Sequence, residues 1–281
     1  MPPGAEAAEN QKSTPLAFTL LELLAVIAII GLIAAIAVPT LSKFRPNYSA
    51  SATRQLLDDL ARARQLAISQ RTTVFMVFVP TNFWNDPAFN QAWAALKPSR
   101  CTNLLAKQAI GYNFVSLRSI GDQPGRPTAR YLGSWKTLPE GAFIDPLKFA
   151  PNNYFFWVYT NDANLNPVPG FRVAGFDETT SIPFPSEDAP VARPRAPYVT
   201  VPFIAFDYTG ALVSGDPRFP EVIPLSRGVV SFAHGPDRRP TEAVPSFTEQ
   251  PVGNATNGAS FSLVYIDRLT GRARAVQAEV R

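Results

Sequence analysis

Residues 16–41, LAFTLLELLAVIAIIGLIAAIAVPTL, are almost wholly apolar and yet carry one carboxylate, Glu22, near their front edge. As a helix, the stretch from Phe18 to Val38 would be roughly 30 Å long, about one hydrocarbon thickness. Three readings compete. A plain transmembrane anchor would hold Glu22 in lipid at a cost of a few kcal/mol. A secretory signal finds a small-x-small cut at Ala35-Ile36-Ala37. Its apolar stretch, however, is longer than a usual signal core, and Lys12 is the only basic residue ahead of it. Neither reading gives the acid a purpose.

The third reading does. Ala17-Phe18-Thr19-Leu20-Leu21-Glu22-Leu23-Leu24, running on to Ala37-Val38-Pro39, resembles the N-terminus of type IV prepilins and pseudopilins. The resemblance implies that a membrane peptidase cuts between Ala17 and Phe18 and methylates the new amine of Phe18. It also implies that Glu22 neutralises the amine of a neighbouring subunit during assembly. An ammonium and a carboxylate stranded together in an apolar filament core relieve each other's desolvation only if the subunits are correctly staggered. Such a pair sets register. The family usually has Gly before the cut, where this chain has Ala17. It also usually has a basic leader, where residues 1–17 hold Glu6 and Glu9 against Lys12.

Beyond the apolar run, Pro39 lacks a backbone donor and is expected to kink the helix without ending it. A helical signal resumes near Ser51 in SATRQLLDDLARARQLAISQR. Leu56, Leu60, Ala63 and Ala67 fall at i, i+4, i+7 and i+11, and Leu57 and Ile68 widen the stripe. Asp58 and Asp59 diverge by about 100° on a helix, which argues against a catalytic pair and for a solvated face. Arg64 falls inside the stripe, either as a snorkelling guanidinium or with a buried partner such as loop carbonyls or a carboxylate from the head. Leu60, Ala63-Arg64 and Ala67-Ile68 resemble the helix pattern of GspH/FimT-like minor pseudopilins.

After Arg71 the apolar period changes from 3.6 to 2. TTVFMVFVP reads as a strand leaving the helix and stopping at Pro80. Further strands are expected at 110–117, 154–160, 201–208, 228–233, 260–267 and 272–278, where Val, Phe and Tyr suit a pleated, half-buried surface. Gly210 and Gly271 mark tight turns, the latter closing a hairpin through DRLTG. Most of the 28 prolines lie beyond residue 80, which disfavours long helices there. Residues 80–109 and 161–200 look like insertions, the second a proline-rich surface loop.

The expected fold class is therefore α+β: a long kinked N-terminal helix, transmembrane in its first half, packed on an antiparallel β-rich head. The expected parts are a leader (1–17), a membrane and filament-core helix (18–41), its amphipathic continuation (42–71) and the head (72–281). The resemblance implies a single-pass inner-membrane protein with a periplasmic head that joins a periplasmic or surface filament. Its implied partners are the prepilin peptidase and N-methyltransferase, other pilins or pseudopilins, and inner-membrane lipid.

Chemistry is little represented. One cysteine, Cys101, excludes an intramolecular disulfide, and one histidine, His234, excludes a poly-histidine metal site. No phosphate-binding loop, dinucleotide fingerprint, EF-hand or nucleophile elbow appears. The net charge of +4 is too mild to argue for nucleic acid alone. No cofactor, metal or enzymatic activity is expected. The alternative function is DNA contact: Gly271-Arg272-Ala273-Arg274 resembles the Gly-Arg-x-Arg motif of FimT-type minor pilins that take up DNA. On a strand Arg272 and Arg274 share one face and can reach successive phosphates.

Overall fold

A computed structural model describes residues 20–43, 48–85, 102–119, 121–150, 155–161, 167–183, 198–218, 220–250, 252 and 262–277. The chain divides into two compact units, 1–46 and 47–281. The first holds helix α1 (Leu20–Lys43), which continues past Pro39 and carries Glu22 in its first turn. Its described large apolar side chains are exposed, Leu20 at 83% and Leu24 at 64%.

Two expectations are corrected here. The long kinked helix on a β head is replaced by two separate helices of 24 and 23 residues, and the described residues are mostly antiparallel β-sheet. The single-pass inner-membrane placement and the transmembrane assignment also fall. Among the described residues no helix is long and apolar enough to cross a membrane. The continuous run whose side chains are described, Leu20–Gly31, would extend only about 18 Å at 1.5 Å per residue, with a carboxylate at its third position.

The second unit opens with α2 (Tyr48–Gln70). Ala52, Leu56, Leu60, Ala63 and Ala67 are fully buried along one seam, as their i, i+4, i+7 spacing requires. Helix α2 hands over to β1 (Val74–Phe78) through Arg71, which takes a left-handed φ of 50°. β1 is buried on both faces: Val74, Met76 and Phe78 join the core under α2, and Phe75 and Val77 join a second core on the opposite side. It is thus a central strand, flanked by β2 (Gly111–Ser116) and β10 (Phe203–Phe206). β3 (Arg130–Tyr131) and β4 (Lys136–Thr137) both pair with β2. A four-residue helix, α3 (Thr102–Leu105), precedes β2 and gives Leu104 and Leu105 to the second core.

The second large sheet is built on the eleven-residue β11 (Glu221–Ser231). Its first part pairs with β13 (Ser262–Ile266), its middle with β5 (Ala142–Ile144), and its end with β12 (Ser246–Glu249). β14 (Ala273–Gln277) completes the sheet beyond β13. Two hairpins stand apart, β6 (Phe155–Asn161) with β7 (Pro167–Ala174) and β8 (Ser181–Pro183) with β9 (Tyr198–Thr200). Residues 161–200, expected as a loop, therefore contain three strands.

Buried polar groups bind these layers together. Asp59, expected on a solvated face, is 4% exposed. It accepts a hydrogen bond from Tyr112 Oη at 2.6 Å and pairs with Lys136, while Asp58 is exposed. Gln55 Nε2 donates to Tyr112 Oη at 2.8 Å and to the Thr137 carbonyl at 2.7 Å, so α2 is tied to β2 and β4. Burial, then the Asp59 carboxylate, pushes the Tyr112 phenol well above its ordinary value. Elsewhere Lys148, wholly buried, donates to Glu221 Oε1 at 2.6 Å and to the Ala174 carbonyl at 2.8 Å. These contacts join a 3₁₀ turn (Pro146–Phe149) to the start of β11 and the end of β7. Burial drives Lys148 down and Glu221 up, and their contact opposes both shifts. Removing one partner would strand the other charge, at roughly 3–5 kcal/mol.

Asp145 caps that same 3₁₀ turn, accepting from the Leu147 N–H at 2.8 Å. Its Oδ2 is buried without a hydrogen-bond partner. Burial, with the Glu249 charge adding, raises its carboxyl to about 6 against the Leu147 hydrogen bond. A folded pKa above the unfolded value means that this group's contribution is full below about pH 4 and is lost as pH rises through about 6. Asp145→Asn should therefore gain on the native protein by on the order of 2–3 kcal/mol between pH 4 and 7.5. Urea denaturation of both at those two pH values measures the change. A stability difference that does not vary with pH would overturn the assignment.

Candidate functional site

The sequence directs attention to two places, the N-terminal helix and the C-terminal hairpin, and they lie in different units. Ala17 and Phe18 fall outside the described residues, as does Cys101. Glu22 is described: it sits exposed in the first turn of α1, two residues into the helix, among the exposed Leu20, Leu21, Leu23 and Leu24. A carboxylate at a helix N-terminus is favoured by the partial positive charge of the free N–H groups, by about 0.3–1 kcal/mol. Pro39 lies inside α1, four residues before its end.

The hairpin is built from its turn outward. In Asp267-Arg268-Leu269-Thr270-Gly271, Asp267 Oδ1 accepts from Thr270 Oγ1 at 2.6 Å and from the Thr270 N–H at 2.7 Å. Those two bonds, the hydroxyl's first, hold the Asp267 carboxyl below its ordinary value. Gly271 takes a φ of 62° and its N–H donates to the Asp267 carbonyl at 2.8 Å. A second turn with the same chemistry, Asp207-Tyr208-Thr209-Gly210, follows β10. There Asp207 Oδ1 accepts from Thr209 Oγ1 at 2.6 Å and from the Thr209 N–H at 2.8 Å.

The two turns cross in contact. A Cβ on Gly271 would stand 1.9 Å from the Gly210 carbonyl oxygen, a distance only glycine permits. The Leu212 N–H donates to the Arg268 carbonyl at 2.8 Å and fastens one turn to the other. Arg64 of α2 closes the cluster, its Nε donating to the Thr270 carbonyl at 2.6 Å. Of the two readings of Arg64, the loop-carbonyl partner is the one found. β10 belongs to one large sheet and β13–β14 to the other, so this crossing links both to the helix.

From that base Arg272 and Arg274 project on either side of Ala273, which turns inward to the core. Both arginines are exposed. The guanidinium of Arg274 lies over its cross-strand neighbour Tyr265, 5.8 Å from the ring centroid. Arg274 lies in β14 and Arg272 just before it, so two exposed cations flank Ala273, one of them already laid over an aromatic ring.

Nothing in the described residues resembles a catalytic centre. His234 is exposed in a turn that pairs it with Pro240. Among the described residues no group of three or more His, Cys, Asp and Glu is placed to hold a metal ion. Known protein families, curated proteins and solved structures offer no match to this chain. Sequence reasoning missed Asp59 and the Lys148–Glu221 pair. Their partners lie 53 and 73 positions away, so no local period marks them.

The crossed turns give a direct test. Gly271→Ala should destabilise the unit 47–281 by about 3 kcal/mol or more, because it adds both a left-handed alanine and a clash with backbone. Gly133→Ala, whose Cβ meets nothing within 4 Å, should stay within about 0.5 kcal/mol. Thermal denaturation compares them, and equal melting temperatures would contradict the crossing.

Proposed function

We propose that this chain is a pilin-like structural subunit, a minor pseudopilin of a type II secretion-like or type IV pilus-like filament, matured by a prepilin peptidase. The supporting observation is α1. Its described side chains present Leu20, Leu21, Leu23, Leu24, Ile27 and Ile30 to the exterior, each more than half exposed. A helix that is apolar around its circumference needs a cover, and those side chains stand exposed. Copies of the same helix provide one. Packed side by side in a filament core, they bury one another's leucine and isoleucine faces, and each Leu or Ile so buried contributes about 1.5–3 kcal/mol.

Glu22 then acquires its role from desolvation. Bundling would bury it among apolar side chains, where a lone carboxylate is costly and a neighbouring amine from Phe18 compensates. The pair favours one stagger of subunits over others.

DNA contact through Arg272 and Arg274 is the weaker reading. It draws on their exposure alone, and Arg274 is laid over Tyr265.

The test is Glu22→Leu, expressed beside the native chain in the source cell and followed into sheared, pelleted filaments. Incorporation should fall by about tenfold or more, since 1.4 kcal/mol already gives tenfold. The melting temperature of unit 47–281 should not move, because Glu22 lies in the other unit. Incorporation equal to that of the native chain would refute the role of Glu22.

A further inference from the structure

A cleft of about 740 Å³ opens between the end of α2 and the loop that joins β2 to β3. Arg71 and Thr72 line one wall, and Arg118, Ser119, Asp122 and Gln123 line the other. Neither the pilin-like motif nor the hairpin involves it.

Three observations give it a chemistry. First, Arg71 holds the left-handed place that ends α2, with its N–H donating to the Ile68 carbonyl at 3.3 Å. Glycine fills such a place without strain. Arginine there accepts strain, and this exposed arginine lines the cleft. Second, Arg118 faces it from the loop, and neither guanidinium forms an ion pair among the described residues. Arg71 and Arg118 thus outnumber the single lining carboxylate, Asp122, and Arg126 is exposed on the same loop.

Third, the loop is set in advance. Asp122 Oδ2 accepts from the N–H groups of Ser119 and Thr128, both at 2.7 Å. Ser119 Oγ donates to the Thr128 carbonyl at 3.0 Å, and Ser116 Oγ donates to the Arg118 carbonyl. The Ser119 and Thr128 bonds, in that order, hold the Asp122 carboxyl below its ordinary value. Asp122 is thereby engaged in shaping the loop. A loop already closed by its own hydrogen bonds loses little freedom when a ligand arrives.

We infer that this cleft binds an acidic polypeptide segment, gripped between the guanidiniums of Arg71 and Arg118. At about 740 Å³ the cleft has more room than a lone inorganic ion needs. The neutral donors and acceptors on its walls, Thr72, Ser119 and Gln123 among them, suit peptide groups, and the two arginines suit carboxylates. The inference rests on reading the chain as an assembly subunit, whose partners are other polypeptides. It assigns them a second contact, away from α1.

The experiment uses the full chain and a fluorescein-labelled hexaglutamate peptide, with labelled hexaglutamine beside it, read by anisotropy at low and moderate salt. Hexaglutamate should bind at least tenfold more tightly than hexaglutamine and weaken as salt rises. Arg71→Gly and Arg118→Gln should each weaken it at least fivefold. Arg71→Gly relieves the left-handed strain, so an unfolded variant cannot explain the loss. Arg239→Gln, on an exposed turn that does not line the cleft, should bind as the native chain does. Three results would overturn the inference: equal binding of both peptides, unchanged binding in both cleft variants, or displacement by inorganic phosphate at equal charge concentration. Normal filament incorporation of Glu22→Leu would refute the role of Glu22 in assembly and leave the peptide affinities untouched, so the two failures are distinguishable.

Discussion

Helix α2 is the element on which the body of this protein depends, because it packs against strands of both large sheets. Its seam has two leucines flanked by alanines: Ala52, Leu56, Leu60, Ala63, Ala67. The leucines fill the core, and the alanines let strands approach the helix axis closely. Truncating Leu56 or Leu60 to alanine would leave a cavity costing roughly 2–5 kcal/mol, a large share of a domain's net stability. Polar ties on the helix then fix its register. Asp59 and Gln55 reach β2 and β4, and Arg64 reaches the turn before β14. The polar ties convert an apolar contact, which is non-directional, into a single arrangement.

Much of that arrangement is legible in the sequence. The i, i+4, i+7 stripe marks the buried face of α2, and the apolar run after Arg71 marks β1, though the expected alternation is absent because the strand is buried throughout. Gly271 in DRLTG marks the hairpin, because only glycine meets both the left-handed φ and the backbone contact. What was not legible has physical causes. β3, β4, β8 and β9 are two or three residues long, too short to show any period. β1 is central, so its two faces are both apolar and alternation gives no sign of which side carries α2. Asp59 looks like its neighbour Asp58 until Tyr112 and Lys136 are brought to it from 53 and 77 positions away.

The apolar N-terminus shows the converse limit. Its composition invites a membrane span, and its motif invites a pilin start, and these are separate inferences. The first is contradicted by the absence, among the described residues, of a helix long and apolar enough to cross a membrane. The second depends on chemistry at Phe18 and Glu22. An exposed apolar helix carrying one acid, in a unit of its own, is a surface that bundling with other copies would satisfy. The arginine-lined cleft at the far end of α2 would add a polar contact to an apolar one, and polar contacts supply the selectivity that burial lacks.

The most direct measurement is the N-terminal sequence and intact mass of the mature protein taken from its own cell. The account predicts a chain that begins at Phe18 and carries one methyl group on its amine. A mature chain that begins at Met1, or at Val38 after a signal-type cut, would contradict it.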